Sequence, residues 1–126
     1  MTRARPPVAI ATITWARSPE EDRRLRRALT RLIAAGFPIA VADSGRTPAF
    51  SAFLDSRPEL TVTVERSGLV AQVEASLQLA SKLGSRFVLY TESDKAVFFE
   101  GMYQKLFFEG GSQNALRFKV GLRVLF

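Results

Sequence analysis

Apolar and polar positions along this chain alternate between two periods, and the switches between them are clearly marked. Val8 to Thr14 is rich in β-branched residues with threonines spaced through it, the pattern of a strand. Ser18-Pro19-Glu20-Glu21 follows with a capping serine, a proline at the first helical position and a glutamate three residues after the cap, a full capping box. Leu25, Leu29, Leu32 and Ile33 then recur at helical spacing until Gly36 and Pro38 stop the helix. Ile39 to Asp43 reads as a second strand ending in the turn Ser44-Gly45-Arg46. Thr47-Pro48 repeats the cap-plus-proline signature and opens a short helix carrying Phe50, Phe53 and Leu54, closed by Pro58. Leu60 to Glu65 is a third strand, with Val62 and Val64 alternating against threonines. Ser67-Gly68 leads into a helix from about Leu69 to Leu83, with Val70, Val73, Leu77 and Ala80 expected on its buried stripe. Gly84 ends that helix, and Phe87 to Thr91 is a fourth strand.

Strands and helices in strict alternation, joined by short connections, predict an α/β fold: a mainly parallel sheet with helices on its faces, three-layer and Rossmann-like. Beyond Asp94 the pattern is less regular. Phe98, Phe99, Met102, Tyr103, Leu106 and Phe107 suit an aromatic-rich helix, and Gly110-Gly111-Ser112-Gln113-Asn114 a turn or linker. Leu116, Phe118, Val120, Leu122 and Val124 then alternate with charged residues as in an amphipathic strand. The expected organisation is an α/β domain over residues 1–109, followed by a linker and C-terminal strand over 110–126. A partner subunit or a second copy is a candidate cover for that strand.

Composition narrows the chemistry. At 126 residues the chain makes one domain, and its 47% apolar and 24% charged fractions are those of an ordinary globular protein. Without cysteine there is no disulfide framework and no thiolate metal site; without histidine there is no His-based acid–base chemistry or serine triad. A metal would therefore sit on oxygen ligands, which favours Mg²⁺ or Mn²⁺. No run approaches the roughly 20 apolar residues of a membrane span. Arg3 and Arg5 precede an apolar run, as in a signal peptide, but Pro6-Pro7 and the interleaved threonines argue against one, and a cytoplasmic location is expected. The net charge of +6 points to anionic partners, and Arg3, Arg5, Arg17, Arg23, Arg24, Arg26, Arg27 and Arg31 crowd the first quarter of the chain.

The polar candidates gather where three strands end. Thr14-Trp15-Ala16-Arg17 follows the first strand, Asp43-Ser44-Gly45-Arg46 the second, and Glu92-Ser93-Asp94-Lys95 the fourth. Parallel strands put these ends on one edge, the ligand edge of open α/β sheets. Asp43 can accept hydrogen bonds from a base or ribose, Gly45 lets a backbone approach a ligand, and Arg17, Arg46 and Lys95 can neutralise phosphate. Each also has a plain structural reading. Asp43-Ser44-Gly45 suits an ordinary strand-to-helix turn, Trp15 suits rim packing, and Glu92 with Asp94 suits the cap of a following helix.

Taken in order, these segments resemble the nucleotide-binding half of family 2-type glycosyltransferases with the A-type fold. The likeness runs over roughly residues 8 to 99 and rests on Thr14 to Arg17, Ala42-Asp43-Ser44-Gly45, Gly68-Leu69-Val70-Ala71 and Tyr90-Thr91-Glu92-Ser93-Asp94. It implies a domain that binds a nucleotide-diphosphate sugar through a divalent metal, Mg²⁺ or Mn²⁺. By position it implies nucleotide contacts from Thr14, Arg17, Asp43, Gly45, Glu92 and Lys95, and metal ligation by Asp94 and Glu92. If active, such a domain would transfer the sugar by direct displacement at the anomeric carbon. Ala42 stands where the family commonly has another aspartate, Glu92 where it has the first aspartate of an Asp-x-Asp motif, and Lys95 where a further acid is common. The chain ends before the family's acceptor-binding half and its catalytic acid, so an incomplete or truncated transferase is expected, and these residues name no catalytic base. The alternatives are a non-catalytic Rossmann-like interaction module, and a binder of nucleic acid or an anionic surface through the Arg-rich helix. The lack of aromatic residues interleaved with those arginines argues against nucleic acid.

Overall fold

A computed structural model of the chain describes residues 7–92 and 123–125. The elements run β1 (Val8–Thr14), α1 (Pro19–Ala35), β2 (Ile39–Asp43), α2 (Pro48–Asp55), β3 (Leu60–Val64), α3 (Leu69–Ser81), β4 (Phe87–Tyr90) and β5 (Arg123–Leu125). The expected aromatic helix, the Gly110–Asn114 turn, and Ser93, Asp94 and Lys95 lie outside the described residues.

The sheet has the order β3-β2-β1-β4-β5. β1 to β4 are mutually parallel, in register Ile10↔Ile39↔Leu60 on one side of β1 and Ile10↔Leu89 on the other. β5 pairs antiparallel with β4, Arg123 opposite Tyr90. The α/β architecture expected from the pattern is the one found.

Each face of the sheet has its own packing. Val8, Ile10, Ile39, Val41, Leu60 and Leu89 meet Leu29 and Leu32 of α1 and Phe50 and Leu54 of α2 in the main core. The opposite face is lined by Ala11, Ala40 and Val88 under Ala80 of α3. Small residues on both sides let α3 lie close to the sheet, so its first turn reaches the strand ends.

Local signals account for the helix boundaries. The Ser18 hydroxyl accepts the Glu21 amide at 3.1 Å, and Gly36 closes α1 in the left-handed region (φ 89°). The reciprocal half of the expected capping box is replaced by an ion pair, because the Glu21 carboxylate turns to Arg17 at 3.3 Å. The expected buried stripe of α3 is also corrected. Val70 is exposed, and Gln72, Ser76 and Ala80 make the buried row, with Val73 and Leu77 half-buried. That row carries polar contacts: the Gln72 amide bonds the strand ends, and Ser76 donates its hydroxyl to the Val73 carbonyl at 2.8 Å.

Because β2 and β3 lie to one side of β1 and β4 to the other, the connections part at the carboxyl ends of β1 and β4. Open α/β sheets carry their ligand crevice at such a switch point.

Candidate functional site

A cleft of about 460 Å³ opens at this edge, its wall formed by Thr14, Trp15, Arg17, Arg46, Arg66 and Glu92. Its floor is fixed by Gln72. From the first turn of α3 the buried amide donates at 3.2 Å to the carbonyls of both Thr14 and Ala42, tying the ends of β1 and β2 together. The Thr14 carbonyl also accepts the Ser44 amide at 3.0 Å, so the Gln72 amide adds a side-chain clamp to the backbone ladder there.

Asp43 lies one layer behind the wall and is 3% exposed. Its Oδ1 accepts the Thr14 hydroxyl at 2.7 Å, and its Oδ2 accepts the Gly45 amide and the Ser51 hydroxyl, each at 3.0 Å. The carboxylate thus joins β1, the β2–α2 turn and α2. Gly45 takes the left-handed conformation (φ 69°), and a Cβ there would stand 2.6 Å from a Val64 methyl. The turn is thereby pressed against β3, and it delivers Ser44 and Arg46 to the cleft.

Two arginines cross between neighbouring loops. Arg46 donates to the Arg66 carbonyl at 3.1 Å, and Arg66 donates to the Gly45 carbonyl at 3.0 Å. Among the described residues neither guanidinium is in an ion pair, so two positive charges stand on the cleft wall with backbone oxygens as their partners. Trp15, 41% exposed, carries the Arg17 guanidinium 5.3 Å and the Arg46 guanidinium 5.1 Å from its ring centroid. Acidic groups enter at Glu65 and Glu92. The Glu65 carboxylate accepts the Ser67 amide at 3.3 Å, and Glu92 is exposed just beyond β4. Burial, and then the charge of Glu92, push the neighbouring Tyr90 phenol up from its usual value, so it stays protonated.

Comparison of the chain with protein families, curated proteins and solved structures finds no match. A functional reading therefore stands on this geometry.

Of the residues singled out in the sequence, Thr14, Arg17 and Glu92 come together on the cleft wall, Asp43 and Gly45 sit directly behind it, and Asp94 and Lys95 lie outside the described residues. Arg66, Glu65 and Gln72 are additions from the structure. The first two follow β3, whose carboxyl end shares the edge by the same parallel-strand argument that placed the other three. Gln72 carried no sequence signal, since a glutamine in the first turn of a helix is unremarked until its amide is seen to be buried.

Proposed function

We propose that this domain binds a nucleotide-diphosphate sugar at the carboxyl edge of its sheet, as the nucleotide-binding half of a family 2-type glycosyltransferase would. The observation that carries the reading is the paired Arg46 and Arg66, crossed onto each other's loops at the switch-point cleft without a carboxylate partner among the described residues. Like charges held together cost free energy that a bound polyanion offsets, and the two negative charges of a diphosphate suit two guanidiniums. Trp15 offers a flat apolar surface beside them for the base or sugar. Asp43 acts from behind, fixing the turn that presents Ser44 and Arg46.

Glu92 gives the cleft an oxygen donor of the type that Mg²⁺ or Mn²⁺ takes, and Asp94 would supply the second carboxylate. Such a cation would stabilise charge on the departing nucleoside diphosphate. The Arg-rich first helix is a weaker basis for a nucleic-acid or surface-binding reading, because Asp22 holds Arg26 through both carboxylate oxygens and no aromatic side chain is interleaved with the helix's arginines.

The test is calorimetric titration of UDP and GDP, with and without Mn²⁺, into the wild type, Arg66→Ala and Asp94→Ala. Binding that weakens roughly tenfold in Arg66→Ala, as loss of a charged hydrogen bond implies, supports the cleft. Loss of the Mn²⁺ enhancement in Asp94→Ala supports the metal. A folded wild type that binds neither nucleotide overturns the reading.

A further inference from the structure

A second cleft, of about 690 Å³, lies between the starts of α1 and α2 and shares Trp15, Arg17 and Arg46 with the first. Arg23 lines this cleft and not the first, so among the described residues three guanidinium-bearing side chains border it. Among the described residues its one acidic residue is Asp22, which Arg26 engages through both carboxylate oxygens. The Arg17–Glu21 pair beside it is solvent-exposed, the kind of contact worth at most about 1 kcal/mol, which a stronger anion displaces easily. The Thr47 hydroxyl is committed to the Ala16 carbonyl at 2.6 Å, which leaves charge recognition to the arginines. Between the charges, Ala16, Pro19, Ala49 and the Trp15 ring supply apolar surface.

The geometry points to a second anion site here, for a small soluble phosphate ester or diphosphate whose organic part rests on Trp15 and whose phosphate is held by Arg23, Arg17 and Arg46. This site does not rest on the nucleotide-sugar reading. It is coupled to the first cleft, because occupation of either draws on the same two arginines, and linkage makes that effect reciprocal.

Calorimetric titration of inorganic pyrophosphate into the full chain tests the site, on the wild type, Arg23→Ala, Arg23→Lys and Arg66→Ala. Arg23 is exposed on a helix, where alanine is a good helix former, so the fold should survive, and circular dichroism checks it. The expected result is roughly tenfold weaker pyrophosphate binding in Arg23→Ala, partial recovery in Arg23→Lys, and retention of the Arg23-dependent component in Arg66→Ala. UDP binding should weaken less in Arg23→Ala than in Arg66→Ala, because the first cleft keeps both Arg46 and Arg66 when Arg23 is removed. If no variant binds UDP, the nucleotide-sugar reading fails while Arg23-dependent pyrophosphate binding persists. Pyrophosphate binding indifferent to Arg23, or lost equally in Arg23→Ala and Arg66→Ala, overturns a separate second site. Arg23-dependent binding to phosphatidic-acid vesicles without any to pyrophosphate overturns the small-molecule assignment in favour of a lipid headgroup.

Discussion

Three hydrogen bonds converge on the carboxylate of Asp43, from Thr14, Gly45 and Ser51, and each donor belongs to a different part of the site's frame. Removing the acceptor strands donors in a buried place, so Asp43→Ala should cost at least about 2 kcal/mol of stability, with Asp43→Asn costing less because one oxygen remains. Urea unfolding of the two variants checks the order. Gly45 is constrained twice, by its left-handed backbone and by the 2.6 Å approach that a Cβ would make to Val64. Gly45→Ala should destabilise on the order of 1–3 kcal/mol and misplace Arg46, weakening anion binding beyond what the lost stability accounts for. Thermal unfolding followed by ligand titration at a temperature where the variant is folded separates the two effects.

At the scale of elements, α3 is the one whose role the sequence concealed. Its apolar periodicity suggested a buried stripe through Val70, yet the helix turns its Gln72–Ser76–Ala80 row to the sheet. Periodicity assumes that apolar side chains decide which face is buried. Here the small residues of β1 and β2 bring the helix close enough for the Gln72 amide to bond the Thr14 and Ala42 carbonyls. Gln72→Ala should therefore destabilise by about 1–3 kcal/mol through loss of both bonds, although it exchanges a polar residue for a better helix former. Hydrogen–deuterium exchange at the ends of β1 and β2 should quicken in that variant. α1, by contrast, was legible almost in full. Ser18, Pro19 and Gly36 are local devices that act on their own backbone, so the sequence alone places them, and only the destination of the Glu21 carboxylate needed coordinates.

For the molecule as a whole, the parallel sheet and the shared edge of its strand ends were readable because alternating elements with short connections admit few topologies. Which side chains face the cleft was less readable. Asp43 and Gly45 carry a turn motif that also suits ligand binding, and their position behind the wall follows from the register Thr14↔Asp43↔Val64. Arg66 was missed because its loop offers no motif, only a place at the shared edge. Arg17 and Arg46 both stack on Trp15, which puts part of the chain's positive charge at the strand ends. We propose the switch-point cleft as a diphosphate site organised by Arg46 and Arg66. Its most direct test is the calorimetric affinity of UDP and GDP for the wild type and Arg66→Ala, with and without Mn²⁺. The account predicts measurable binding by the wild type that falls roughly tenfold in the variant. Equal affinity in both proteins, or no binding by a folded wild type, would contradict it.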